Sequence, residues 1–403
     1  MKCKKIALSL IGLYFSIVGA FAQHSNSDTI YESKPLAFEE ANIVSSYYLQ
    51  DGVHSAVRGG LGDEHVMDLA NGIDVKFVGR DVYNAKHTIT AGIGIDYHTA
   101  ASQAYVNKSG ASKKDGNRIY PTIDWLKENE EKGSSFGLGL SYSGEYNYHS
   151  YGVNASFSQK TKHNGLFESK FNLYYDRVTQ IYPSELIPVS TTAVSSASRG
   201  SKEDLPTSPR TTFSGSFTFS QVINSRMQAS VNLDLVEQNG YLGLPFHRVY
   251  FNDGSEKVEN LPANRVKLPI GFRLNYFAGD RFIIKSYYRF YIDQWGILAH
   301  TADLELPVKI TPFFSVSPFC RFYTQTAADY FAAYGEHKTA DQYFSSNYSL
   351  SQFSSLYMGG GIKLTPPSGI LKTHLSSFEL RYGHYTQTTE LVSNMISMAL
   401  QFK

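Results

Sequence analysis

The chain has 403 residues, with 37 Lys and Arg against 36 Asp and Glu, a net charge of +1 and only 18% charged residues. That balance argues against nucleic acid as a partner and leaves no acidic or basic tail to name another ligand. Tyrosine is abundant, 29 residues beside 2 tryptophans, and the mean hydropathy of −0.27 suits either a soluble protein or a membrane wall whose apolar and polar residues alternate.

Lys2, Lys4 and Lys5 precede an apolar run over 6–18 and then Ala20-Phe21-Ala22, which is the pattern of a secretory signal peptide cleaved before Gln23. The run is too short for a permanent membrane helix, and no later stretch approaches the roughly 20 apolar residues that a spanning helix needs. Residues 1–22 are read as signal peptide, 23–40 as a mobile periplasmic leader and 41–403 as one barrel. Cys3 leaves with the signal peptide. Cys320 then stands alone on an apolar strand face, where a free cysteine acts as a small hydrophobe.

The first strand is expected over 42–50, followed by a loop. In the next, 66–78, Met67, Leu69, Ile73, Val75 and Phe77 oppose Asp68, Asp74 and Lys76. In 86–98, Ile89, Ile93, Ile95 and Tyr97 alternate with Thr88, Thr90 and Asp96. Residues 118–129 also read as strand, with a bulge expected at Pro121, which lacks a ladder donor. Further strands fall at 133–145, 148–159, 166–177, 211–221, 226–238, 266–277, 282–293, 299–309, 311–324, 353–365, 373–385 and 390–402. The strand at 282–293 is the clearest, with Phe282, Ile284, Tyr288, Phe290 and Ile292 on one face and Lys285, Arg289 and Asp293 on the other. Charges in mid-strand opposite bulky apolar groups place water on one side and lipid on the other.

Long loops begin near Asp51, Ala101, Val178, Asn239 and Gln325, and all follow odd-numbered strands only if 118–129 is counted. The expectation is therefore an all-β, transmembrane, antiparallel up-and-down β-barrel of about 16 strands, with no plug domain and both termini periplasmic. Its last strand alternates Ile396, Met398, Leu400 and Phe402. It resembles the aromatic-ended strand by which outer-membrane proteins meet their insertion machinery, with Phe402 as the signal.

Residues 47–64 read Tyr-Tyr-Leu-Gln-Asp-Gly-Val-His-Ser-Ala-Val-Arg-Gly-Gly-Leu-Gly-Asp-Glu. This resembles the opening signature YYxQDGxxSAVxGGxGxE of an uncharacterised bacterial outer-membrane barrel family, domain of unknown function 3570, through Gln50, Asp51, Gly52, Ser55, Ala56, Gly59, Gly60 and Gly62. The stretches 97–102, 115–121 and 141–146 are similar to the family as well. The resemblance implies a barrel in the outer membrane of a Gram-negative cell and no particular substrate. A calcium reading of the glycine run is weaker than a tight loop folding back over the barrel mouth, with glycines supplying positive φ. The histidines show no metal spacing, so no metal and no cofactor are assigned. His98 with Thr99 and Ser102 is the nearest approach to a hydrolase site, and enzymatic activity is not expected.

The inward charges segregate along the chain. Asp74, Asp96, Asp124, Glu168, Asp176 and Asp234 form an acidic wall, and Lys267, Arg273, Lys285, Arg289, Arg321 and Arg381 a basic one. Either a transverse field crosses the lumen, or the charges pair between strands, as Lys285 to Glu305 or Arg381 to Asp74. The function expected is a porin-like channel for passive or loop-gated passage of small polar solutes. The alternative is a filled structural barrel whose Tyr-rich loop at 325–352 docks a protein or glycan. Its partners are outer-membrane lipid and the insertion machinery.

Overall fold

The structure, a computed structural model, describes residues 32–99, 116–180, 186, 206–244 and 246–403. The signal peptide, the leader up to residue 31, residues 100–115 with Ser102, and most of the loop expected over 178–210 lie outside the described residues. Period-two patterning yields β1 (Lys34–Asp51), β2 (Val66–Arg80), β3 (Lys86–His98), β4 (Gly116–Asn129), β5 (Ser134–Glu145), β6 (Tyr148–Lys160) and β7 (Gly165–Thr179). These continue into β8 (Thr207–Asn224), β9 (Met227–Gly240), the loop hairpin β10 (Arg248–Tyr250) and β11 (Glu256–Val258), and β12 (Asn264–Ala278). The last are β13 (Phe282–Asp293), β14 (Leu298–Glu305), β15 (Val308–Thr311), β16 (Phe314–Gln325), β17 (Phe353–Leu364), β18 (Leu375–Gln387) and β19 (Leu391–Phe402).

Apart from the hairpin, these strands form one 17-stranded antiparallel sheet. β1 pairs with both β2 and β19, so the sheet closes on itself. β14 and β15 occupy a single place between β13 and β16, interrupted at Leu306-Pro307, where proline removes a ladder donor. Sixteen positions therefore make the wall. At about 4.8 Å per strand and a tilt of about 40°, that wall is about 30 Å across.

Along each strand one face carries exposed apolar side chains, among them Ile73, Ile93, Ile123, Leu140, Val153, Leu173, Leu233, Ile270, Leu304 and Ile396. So continuous a belt is stable only against lipid. Buried apolar groups sit elsewhere. Trp295, Ile297, Ala299, Ala328 and Leu350 cluster at one rim with Tyr291, Tyr323, Tyr330 and Phe331, and Val249, Phe251 and Phe344 form a second cluster in the loops. That rim carries the long connections 52–65, 241–263 and 326–352, while the opposite rim has turns such as 225–226 and 312–313.

Two expectations are corrected. β1 begins at Lys34 rather than near residue 42, so 34–40 belong to the wall and not to a mobile leader. Shifts of register between Lys34 and Ala37 and between Phe38 and Glu40 break the alternation there and hide it from a period-two reading. Pro121 introduces no bulge: it faces Ile93 in register, and the ladder to β5 is only open at Tyr120 and Pro121.

Ile93 faces lipid in mid-strand. An Ile93→Arg variant is expected to lose about 2–4 kcal/mol of stability, read from urea unfolding of the protein refolded into lipid vesicles.

Candidate functional site: a charged lumen beneath a loop cap

The inward face of β2 to β4 carries Asp74, Asp96 and Asp124, and each is held by a neutral donor. Asn42 Nδ2 donates to Asp74 at 2.9 Å, the Tyr120 hydroxyl to Asp96 at 2.8 Å and Asn154 Nδ2 to Asp124 at 3.1 Å. Asp74 and Asp124 make no ion pair among the described residues, whereas Asp96 stands opposite Arg118 in the ladder. Asp176, by contrast, is neutralised by Arg210 at 2.8 Å, whereas Glu168 and Asp234 make no ion pair among the described residues.

On the other side Lys285 pairs with Glu305 at 3.3 Å, and Arg321 with Asp303 at 2.7 Å. Arg381 reaches Glu305 and Glu379, not Asp74, at 3.4 and 3.3 Å. It does so by lying across Gly361, where an added Cβ would meet its Cγ at 2.9 Å, and over the Phe319 ring. Arg273 and Arg289 on β12 and β13 make no ion pair among the described residues, and the Nε of Arg289 is buried without a hydrogen bond, whereas Lys267 stands opposite Asp293. β12 and β13 stand eight positions round the wall from β2 and β3. The unneutralised arcs of opposite sign thus face each other across the lumen.

Above them three loops interlock. The loop after β1 and the loop after β9 are rooted eight positions apart, on opposite sides of the barrel, yet Arg248 Nη1 donates to the Val57 carbonyl at 2.8 Å. The mouth is spanned. Gly59 and Gly60, at φ 72 and 87, permit it, because a Cβ on Gly59 would come 2.6 Å from the Tyr250 ring and one on Gly60 2.8 Å from the Ser346 carbonyl. Gly62, at φ 82, closes under Arg58. Ser55 anchors the turn, its N–H donating to the Gly62 carbonyl and its own carbonyl accepting from Arg58 and Gly60, around the short helical turn that starts at Ala56. Gly52 accepts from Glu64, and Asp51 meets His65 Nδ1 at 2.6 Å. His54 stacks on Tyr348 of the third loop, with ring centroids 3.6 Å apart.

The joint between the second and third loops is buried and polar. Ser345 Oγ donates to Glu259 Oε1 at 2.5 Å, the Leu244 N–H donates to Oε2 at 2.9 Å, and His247 Nδ1 lies 3.5 Å from Oε2. Burial alone would push the Glu259 carboxyl up, but His247, Ser345 and Leu244 hold it below the usual carboxylate range. The phenol of Tyr250, half-buried and hydrogen-bonded to Glu256, is pushed up to about 12.

The cap is fastened to the wall by a device repeated four times, Tyr-X-Gln or Tyr-X-Asp at the loop end of an ascending strand. Tyr48, Tyr291, Tyr323 and Tyr385 donate through their hydroxyls to Gln50, Asp293, Gln325 and Gln387 at 2.7, 2.7, 2.6 and 2.6 Å. The far side of each acceptor holds the connection beyond it. Gln50 donates to the Glu64 carbonyl, Gln325 to those of Ser349 and Ser351, and Gln387 to Thr389, while Asp293 accepts from the N–H groups of Trp295 and Ile297. Arg265 completes the Asp293 knot. No sequence reading singled out this repeat, although each copy is visible as three residues.

His98 Nε2 lies 3.1 Å from Glu145, and the Thr99 hydroxyl accepts from the Met67 N–H. Among the described residues no group of three or more His, Cys, Asp or Glu is placed to hold a metal ion.

A family model described as "Protein of unknown function (DUF3570)" matches residues 85–397. No curated protein matches the chain. Among solved structures, a bacterial polysaccharide outer membrane secretin has 9% identity and a TM-score of 0.45, covering 90% of this chain and 98% of that one. The siderophore receptor PirA from Acinetobacter baumannii has 11% identity and a TM-score of 0.44, covering 88% of this chain and 54% of that one. The outer membrane protein OprD from Pseudomonas aeruginosa has 10% and 0.43, covering 94% and 96%.

Because the folded-state pKa of Glu259 is lowered, its contribution to cap stability is complete above the ordinary glutamate value of about 4.3 and is lost as pH falls through the folded value. Limited proteolysis of loop 241–263 is expected to accelerate only in that acid range. A Glu259→Gln variant should be cleaved faster at neutral pH and show no acid step.

Proposed function

We propose that this chain, which belongs to the DUF3570 family, is a loop-gated outer-membrane channel for small polar solutes. The reading rests on one observation above all: carboxylates without an ion pair, Asp74 and Asp124, and arginines without one, Arg273 and Arg289, stand on opposite sides of the lumen. A side-chain-filled barrel would leave those charges dry and unpaired, at a cost of several kcal/mol each. Water between them removes the penalty and leaves a field that favours polar and zwitterionic solutes over apolar ones.

In this reading the long loops lie outside the cell and both termini in the periplasm, as short turns on one rim and long loops on the other suggest. Phe402, which pairs with Ala41 at the seam, serves as the insertion signal. The cap is the gate. Docking of an outside partner by the Tyr-rich loop is the weaker reading, since Phe344 is buried and Tyr330, Phe331 and Tyr348 are engaged in packing within the cap. Of that loop's aromatic side chains only Tyr334 is exposed.

Refolded protein in a planar bilayer tests the proposal. An Arg248→Ala variant, which removes the hydrogen bond spanning the mouth, is expected to show larger single-channel steps than the unmodified protein. Identical steps in both would remove the gate, and silence from folded protein would remove the channel.

A further inference from the structure

In a barrel of tilted strands, a row of residues that is level in the ladder climbs along the barrel axis. One such row on the inner face runs Arg273 in β12, Tyr287 in β13, Asp303 in β14, Arg321 in β16, Tyr357 in β17 and Tyr385 in β18, each opposite the next. It begins in mid-strand at Arg273 and ends just under the cap at Tyr385, whose hydroxyl is part of a latch. Six neighbouring strands therefore present a ramp leading to the gated mouth.

Two of its rings lie flat on the wall. A Cβ on Gly271 would come 2.7 Å from the Tyr287 hydroxyl, and one on Gly383 2.2 Å from that of Tyr357. Both residues are only half-buried, and the Phe319 ring leans against that of Tyr357 with centroids 5.2 Å apart. Arg273 stands 5.2 Å from the Tyr287 centroid, and on the next row Arg289 lies within electrostatic reach of Tyr323. Neither arginine is engaged by a carboxylate, unlike Arg321, which holds Asp303. The ramp thus offers guanidinium groups without a carboxylate partner beside half-buried tyrosine rings.

We infer that the ramp binds acidic saccharides, solutes in which carboxylates and hydroxylated rings share one chain. This deepens the channel reading and rests on it. A guanidinium takes a carboxylate through two parallel hydrogen bonds, and a tyrosine face takes the apolar face of a sugar ring while its rim stays polar. A neutral sugar leaves Arg273 and Arg289 unanswered. An aromatic acid can stack as well but leaves the hydroxyl- and amide-rich wall without partners.

The test is calorimetric titration of the refolded full chain with trigalacturonate, maltotriose and benzoate, followed by block of ion current by the same solutes. Trigalacturonate is expected to bind, and the Arg273→Ala/Arg289→Ala variant to bind it about tenfold more weakly. Gly383→Ala lifts the Tyr357 ring off the wall without touching a charge and is expected to weaken binding several-fold. Equal affinity for maltotriose, binding of benzoate alone, or affinity unchanged in both variants would overturn the inference. Ion conduction without saccharide binding removes the ramp and spares the channel. Binding without conduction removes the channel and retains the ramp as a binding surface.

Discussion

Inside a lipid bilayer a backbone N–H has no water to turn to, so the ladder must be complete. The double pairing of β1, to β2 on one side and β19 on the other, is what completes it here. Much of the rest follows. Once the sheet is closed its outer face must be apolar and its inner face can be wet, which leaves no dry interior for a conventional core. Among the described residues, the bulky side chains Trp295, Ile297, Leu350, Val249, Phe251 and Phe344 find shelter where the long loops meet at the rim. The packed core of this molecule is its cap.

The strands are legible in the sequence because lipid and water impose opposite demands at every second residue, and a wall 16 positions round repeats that signal many times. Where the signal fails, a physical reason can be named. The start of β1 is masked by two register shifts. The hairpin of β10 and β11 is three residues a side and buries aromatic rings in a loop, so no lipid period marks it.

The site is legible only in part. Which charges point inward follows from the period. Which of them keep their charge depends on register, because Lys285 is opposite Glu305 and Arg321 opposite Asp303, while Arg289 is opposite Gly271 and Thr301. The pairing of Arg381 with Glu305 needs the room left by Gly361, three strand positions of reach that no local pattern announces. The Tyr-X-Gln and Tyr-X-Asp latches are local in sequence, but their meaning lies in the loop atoms held by the far side of each acceptor.

The hydrogen bond from Arg248 to Val57 joins loops rooted on opposite sides of the wall. A hoop of this width is stiff along its strands and soft across its section, since flattening it into an oval bends the sheet without breaking a ladder bond. A strut across one diameter resists that flattening, and because narrowing one diameter widens the one perpendicular to it, both are held and only the oval set diagonally to the strut stays soft. The cap that restrains the opening thereby also decides the direction in which the barrel can breathe.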